Sequence, residues 1–241
     1  MPKTLRAMYR PPAWSTGHCS TEDVEFLESC IGAQDPNVVL EVGVAAGASS
    51  AALLWALDQL PDGGAARVLY SVDLASACYF NPHRAIGAAV AEMYPAYRAR
   101  WELRPGSDAR RIRAEVPIVD FAFVDANHSH PWPLLDVLHV ASILRPRAWI
   151  ALHDIVLPQL GYPHYGAQWL FEAWPFGKQR GAGGAKNIGV VELPRALADL
   201  VPTAVMLVRD RAWEATPRAD DVDLAPVFAE VTAELAPRLR P

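Results

Sequence analysis

The 241-residue chain has little cysteine: Cys19, Cys30 and Cys78 are all there is. Odd in number and far apart, they form neither a CxxC pair nor a disulfide framework, which leads us to expect a reducing, cytoplasmic compartment. Positive charge is also short, with 22 Lys and Arg against 27 Asp and Glu and a net charge of −5. That balance lacks the basic footprint that grips nucleic acid through its phosphates. No apolar h-region follows Lys3, Arg6 and Arg10, so a secretory signal is not expected. Long hydrophobic runs are missing too. The uncharged stretch Val42–Leu57 stops at Asp58, short of the ~20 residues of a membrane span, and Pro158, Pro163 and His164 interrupt Ile155–Phe171. We expect a soluble protein with no nucleic-acid or membrane partner.

Apolar residues make up 51% of the chain, enough for a sizeable core. They fall in short runs that alternate with helical stretches. Strands are expected at 37–43, 68–73, 101–103, 118–125 and 148–152. Helices are expected at 48–60 (ended by Pro61 to Gly64), 82–94, 108–114 and 134–144. Strands spaced by helices make βαβ units with right-handed crossovers. The fold class is therefore α/β, a doubly wound, mostly parallel, Rossmann-like sheet. Two late strands, 188–192 and 204–209, would add an antiparallel edge. A surface helix is expected over 223–235. The organisation is an N-terminal lead-in, residues 1–36, before a single domain, residues 37–241. Exposed faces of the lead-in or of 223–235 are the places where subunits would pair as a homo-oligomer.

In an open parallel sheet, ligands bind beyond the carboxyl ends of the strands. The turn Glu41-Val-Gly43-Val-Ala-Ala-Gly47 occupies such an end, where glycine admits close backbone approach and a helix start offers free N–H groups. The dinucleotide fingerprint GxGxxG would need glycine where this chain has Ala45 and Ala48. Asp73 closes the next strand, where a carboxylate can accept from both hydroxyls of a ribose. Gly106-Ser107-Asp108 follows the third strand. Together these imply an adenosine-containing ligand. The plainer alternative is that Gly43 and Gly47 only tighten a turn and Asp73 caps a helix.

The pattern Glu41-x-Gly43-x-x-x-Gly47 followed by Asp73 resembles the cofactor site of class I S-adenosylmethionine-dependent methyltransferases, over about 38–155. The resemblance implies that Glu41 belongs to the cofactor site, that the Gly43 to Gly47 turn and Ser49 hold the methionine part of S-adenosylmethionine, and that Asp73 takes its ribose. Ser107 and Asp108 would lie near the adenine, with Asp125 also at the cofactor.

A second constellation ends the fourth and fifth strands: Asp125-Ala-Asn-His128-Ser-His130 and His153-Asp154. Carboxylates favour a hard cation such as Mg²⁺, and imidazoles widen the choice toward Mn²⁺, Fe²⁺ or Zn²⁺. A divalent ion lowers the pKa of a bound hydroxyl, and an imidazole such as His128 can remove its proton. Asp125-x-x-His128 is similar to metal-dependent O-methyltransferases of the catechol and macrolide-sugar types, which carry a metal-ligand Asp and, three residues on, the general base. That likeness implies Asp125, His153 and Asp154 as ligands of a divalent cation, Mg²⁺ first. It implies His128 as base and a hydroxylated small molecule, a phenol or a natural-product sugar, as acceptor. His153 departs from the carboxylate usual there and could instead orient Asp154. Two rivals stay open: a non-haem iron oxygenase using His128, His153 and an Asp, and a binding module without turnover. The aromatic segment 162–176 reads equally as a lid made mobile by Gly181–Gly184 or as core. His130 is expected in a loop and His139 in packing or at the surface, with His18, His83 and His164 unassigned.

Overall fold

The computed structural model describes residues 4–61, 66–95, 100–116, 118–163, 165–183 and 186–240. Gly64, His164 and Gly184 lie outside these. Five parallel strands form the heart of the sheet: β1 (Val38–Val42), β2 (Val68–Asp73), β5 (Trp101–Pro105), β6 (Val119–Val124) and β7 (Leu144–Leu152). A hairpin of β3 (Ala77–Cys78) and β4 (Asn81–Ala85) stands apart from them. Beyond β7 the sheet continues antiparallel through β9 (Gly189–Glu192) to β8 (Lys178–Arg180), giving the order β5-β2-β1-β6-β7-β9-β8.

Strand side chains alternate between the two faces, so a strand buried on both sides must be apolar throughout. β6 meets that demand. Phe121 and Phe123 join the core beneath α2 (Thr21–Gln34) and α3 (Ala48–Asp58), while Ala122 and Val124 join the opposite core. That second layer includes α5 (Trp132–Ala141), α6 (Gly166–Ala173), α7 (Val201–Asp210) and α8 (Ala229–Leu235). The N-terminal segment adds α1 (Leu5–Met8), and Leu5, Met8, Tyr9, Val24, Leu27 and Ile31 are buried in the same cluster as α3. Covered by the sheet and α2, α3 is buried from Ala48 to Leu57, which explains its near absence of charge.

Four expectations need correction. Residues 204–209 are not a strand but part of α7, because Leu200, Ala204, Leu207 and Val208 recur at helical spacing on its buried side and Pro202 suits its first turn. The late antiparallel pair is completed by β8 instead, whose Lys-Gln-Arg sequence is exposed and carries no apolar alternation. Residues 82–94 divide into β4 and the short α4 (Ala88–Met93), and β7 begins at Leu144, which had been assigned to the preceding helix. The C-terminal helix is shorter than 223–235 and not merely superficial: Phe228, Val231 and Leu235 are fully buried against the second core.

Candidate active site

Gly43 and Gly47 hold positive φ angles of 91° and 88° as the chain turns from β1 into α3. Packing makes both glycines necessary. A Cβ on Gly43 would come within 2.0 Å of the Asp125 carbonyl oxygen, and one on Gly47 within 2.7 Å of Gly87 Cα. Ala45 also lies at positive φ, 45°, so the backbone keeps a left-handed bend where glycine is absent. Asp73 ties the turn to β2: its Oδ2 accepts from the Val44 and Ala45 amides, both at 3.0 Å, and its Oδ1 from Ala75 N at 2.8 Å.

Glu41 lies beneath this turn, fully buried, and accepts hydroxyl hydrogens from Ser49 at 2.6 Å, Ser50 at 2.5 Å and Ser71 at 2.6 Å. Burial pushes its carboxyl up to about 7 against the pull of those three hydroxyls. It lines neither cavity at the turn, so its visible task is to lock β1, β2 and α3 together. Ser49 does line the smaller cavity, beside Gly47, Cys19 and His18.

The larger cavity, about 460 Å³, opens along the strand ends from Gly43 past Asp73, Ser107 and Asp108 to α5. Of the expected cofactor residues it gathers Gly43, Asp73, Ser107, Asp108 and Asp125, and Gly47 and Ser49 belong to the smaller one. Asp125 borders both.

Asp125 also belongs to the second constellation, which the ends of β6 and β7 bring together. His128 Nε2 stands 3.0 Å from Asp154 Oδ2 and 3.7 Å from Asp125 Oδ1. His153 Nδ1 stands 2.9 Å from Asp125 Oδ1 and 3.3 Å from Asp154 Oδ1. Burial pulls the His128 imidazole down, but the Asp154 hydrogen bond and the Asp125 and Asp154 charges outweigh it and hold the ring above its ordinary value. Burial would likewise raise Asp154, yet His128, His153 and Asn187 keep it below the usual carboxylate range. Two sets of potential ligand atoms lie within 4.8 Å of one another: Asp125, His128 and Asp154, and Cys19, Asp125 and His153. Asp154 itself has a left-handed φ of 60°, a conformation that non-glycine residues hold only when their surroundings impose it.

Two neighbours were not foreseen in the sequence. Asn187 Nδ2 donates to Asp154 Oδ1 at 2.6 Å and lies 3.3 Å from His153 Nε2. Cys19, from the N-terminal segment, is buried beside His153 and accounts for part of that imidazole's upward shift, behind burial (which lowers it) and Asp125. Tyr165 stacks on His128 with ring centroids 5.5 Å apart, and Tyr162 on Tyr165 at 5.2 Å. The aromatic segment is therefore divided: its tyrosines border the histidine cluster, while Leu170 and Trp174 belong to the core. His130 lies in the turn between β6 and α5, as expected, and is buried there against Trp169 and Leu207 O. His139 is buried as well, at the wall of the larger cavity.

Residues 40–155 match the family model described as a methyltransferase domain. Over those residues the chain carries a methyltransferase domain, in accord with the class I S-adenosylmethionine-dependent resemblance of its glycine turn. The fold recurs in solved structures. Cofactor-bound Rv0187 from MTB is 17% identical, with a TM-score of 0.55 over 79% of this chain and 86% of that one. The O-methyltransferase from Bacillus cereus, in complex with SAH, is 20% identical, with a TM-score of 0.54 over 78% and 86%. The O-methyltransferase TomG from Streptomyces achromogenes, in complex with SAM, is 18% identical, with a TM-score of 0.54 over 73% and 81%. At these identities the likeness is one of fold. No curated protein matches the methyltransferase in sequence.

Proposed function

We propose that this methyltransferase moves the methyl group of S-adenosylmethionine to a hydroxyl oxygen of a small molecule, a phenol or a natural-product sugar, with a divalent cation assisting. The observation that carries the reading is the meeting of His128 with Asp154 at 3.0 Å beside Asp125, which itself borders both cavities at the glycine turn. Cofactor and acceptor chemistry thus adjoin at one residue. The Bacillus cereus and Streptomyces neighbours are named O-methyltransferases, and TomG is described as involved in tomaymycin synthesis, which is the basis for the natural-product class. The three buried free cysteines accord with a cytoplasmic setting.

Asp73 serves the ribose, Gly43, Gly47 and Ser49 the methionine part, and Ser107 and Asp108 the adenine side. His128 Nε2, held against Asp154, leaves Nδ1 to take the acceptor's hydroxyl proton, and Asp154 stabilises the imidazolium that results. The oxygen attacks the methyl carbon, the carbon–sulfur bond breaks, and its electron pair returns to sulfur as the neutral thioether S-adenosylhomocysteine. Alignment of oxygen, carbon and sulfur supplies much of the rate.

The carboxylates suit a hard divalent ion: Asp125 and Asp154 offer ligand atoms within 4.8 Å of each other, with a backbone bend at Asp154 beside the cluster. Asp125 and Asp154 would hold Mg²⁺, and His153, paired with Asp125 through Nδ1, would orient that carboxylate or add a ligand. When bound, the ion would lower the pKa of the acceptor hydroxyl. The oxygenase alternative would leave the adenosine-type turn without a task.

The test is incubation with S-adenosylmethionine and a panel of phenols, catechols and glycosides, with Mg²⁺ or after chelation, read by mass spectrometry. A product heavier by one methylene, formed faster with Mg²⁺, is expected. Absence of both methylated product and cofactor binding would refute the reading. Tight cofactor binding with no product, and no response to Asp125→Ala, would assign a binding module instead.

A further inference from the structure

The histidine cluster has a second side, facing the N-terminal segment. There Cys19, Asp125 and His153 bring a thiol, a carboxylate and an imidazole together, each with a ligand atom within 4.8 Å of the others. They come from three separate parts of the chain: the segment before α2, the end of β6 and the end of β7. Cys19 is buried, its thiol in hydrogen-bond contact with the His153 ring, whose Nδ1 stands 2.9 Å from Asp125 Oδ1. The backbone fixes this arrangement. Tyr9 Oη donates to Cys19 O at 3.0 Å, Ser20 caps α2, and Asp23 Oδ1 accepts from Asn187 N at 3.2 Å, tying the segment to the loop before β9. His153 N donates to Val124 O at 3.1 Å, which sets the place where its ring leaves the sheet. The other two thiols are engaged elsewhere: Cys78 Sγ donates to Ala45 O and Ala85 O, both at 3.5 Å, and Cys30 Sγ lies 4.0 Å from Gln179 Nε2.

We propose that Cys19, Asp125 and His153 form a binding site for a borderline-soft divalent transition ion, Zn²⁺ first, distinct from the oxygen set of Asp125 and Asp154. Thiolate and imidazole select such an ion over Mg²⁺, which takes oxygen ligands. With bonds of about 2.0–2.3 Å, donor atoms around a tetrahedral Zn²⁺ stand about 3.3–3.6 Å apart. Three atoms already within 4.8 Å of one another therefore close on an ion through small side-chain shifts. Three protein ligands leave a fourth position open. Cys19 and Asp125 both line the smaller cavity, about 30 Å³, which has room for one water to fill it. Cys19 binds as the thiolate, so its proton passes to solvent as the ion enters. The site needs neither the S-adenosylmethionine nor the Mg²⁺ reading and shares only Asp125 and His153 with them.

The test titrates the full chain, reduced and stripped of metal, with Co²⁺ as a spectroscopic stand-in and then with Zn²⁺. One Co²⁺ per chain should raise a sulfur-to-cobalt charge-transfer band in the near ultraviolet, and Zn²⁺ should abolish it by displacement. The double variant Cys30→Ser, Cys78→Ser keeps Cys19 alone and should keep the band. Asp154→Asn, which alters only the oxygen set, should keep it as well. Cys19→Ser should lose the band and bind Zn²⁺ about a hundredfold more weakly, since even partners outside the ligand shell cost about 10–100-fold when removed. Should that variant fail to fold, X-ray absorption at the zinc edge of the loaded wild type decides. One sulfur at about 2.3 Å, with nitrogen and oxygen at about 2.0–2.2 Å, is expected. A shell without sulfur overturns the proposal and assigns the ion to the carboxylates and imidazoles. A wild type that shows no band at saturating Co²⁺, or a band that survives Cys19→Ser, overturns it too and leaves Cys19 a core residue.

Discussion

His128 Nε2 and Asp154 Oδ2 face each other at 3.0 Å across the ends of two neighbouring parallel strands. Each makes the other's charged form easier to keep, so the pair holds its geometry when a proton arrives. His128 lines neither cavity of the turn, so its loss should spare the cofactor. His128→Ala should lower kcat by about 10²–10⁴, as removal of a positioned base does, with S-adenosylhomocysteine affinity unchanged by calorimetry. A parallel fall in cofactor affinity would remove His128 from the role of base.

Asp73 spends both oxygens on backbone amides, two of them in the glycine turn. An amide in its place brings one N–H toward a row of donors. Asp73→Asn should reduce cofactor affinity by about tenfold or more and cost about 1–3 kcal/mol in urea unfolding, the penalty of leaving such donors unpaired. An unaltered affinity would deny Asp73 its ribose.

The turn also predicts opposite outcomes at two positions only two residues apart. Gly43→Ala drives a methyl group to 2.0 Å from the Asp125 carbonyl, so the loss should be about 3 kcal/mol or more with cofactor binding abolished. Ala45→Gly relieves a left-handed alanine at φ 45° and should gain about 0.5–1 kcal/mol once the greater freedom of unfolded glycine is counted. Chemical denaturation of both variants measures this.

How much of this was legible in the chain depends on whether a residue's task leaves a periodic trace. β1, β2 and β6 are apolar because the sheet is covered on both faces, and the turn between β1 and α3 shows itself through Glu41, Gly43 and Gly47. Asp125, His128, His153 and Asp154 could be read because strand ends in a parallel sheet share one side. β8 could not, since an exposed edge strand of Lys-Gln-Arg has no hydrophobic alternation. Asn187 and Cys19 reach the cluster from segments remote in sequence, which no local pattern announces.

Glu41 gives the last prediction, and its sign follows from linkage. Its folded carboxyl titrates at about 7, above the ~4.3 of an unfolded glutamate. Between those values the folded state keeps a proton that the unfolded state has released. Stability from this group is therefore complete below about pH 4.3, falls as pH rises, and levels off above about 7. The total change is about 3–4 kcal/mol. Glu41→Gln presents a neutral, nearly isosteric group to Ser49, Ser50 and Ser71 and has no such slope. Every other titrating group is common to both proteins and cancels in their difference. Urea unfolding at pH 4.5, 6 and 8 should show Glu41→Gln gaining on the wild type by about that amount across the range. If the two curves instead run parallel, Glu41 is ionised throughout, and the three serines stabilise a buried carboxylate rather than a carboxylic acid.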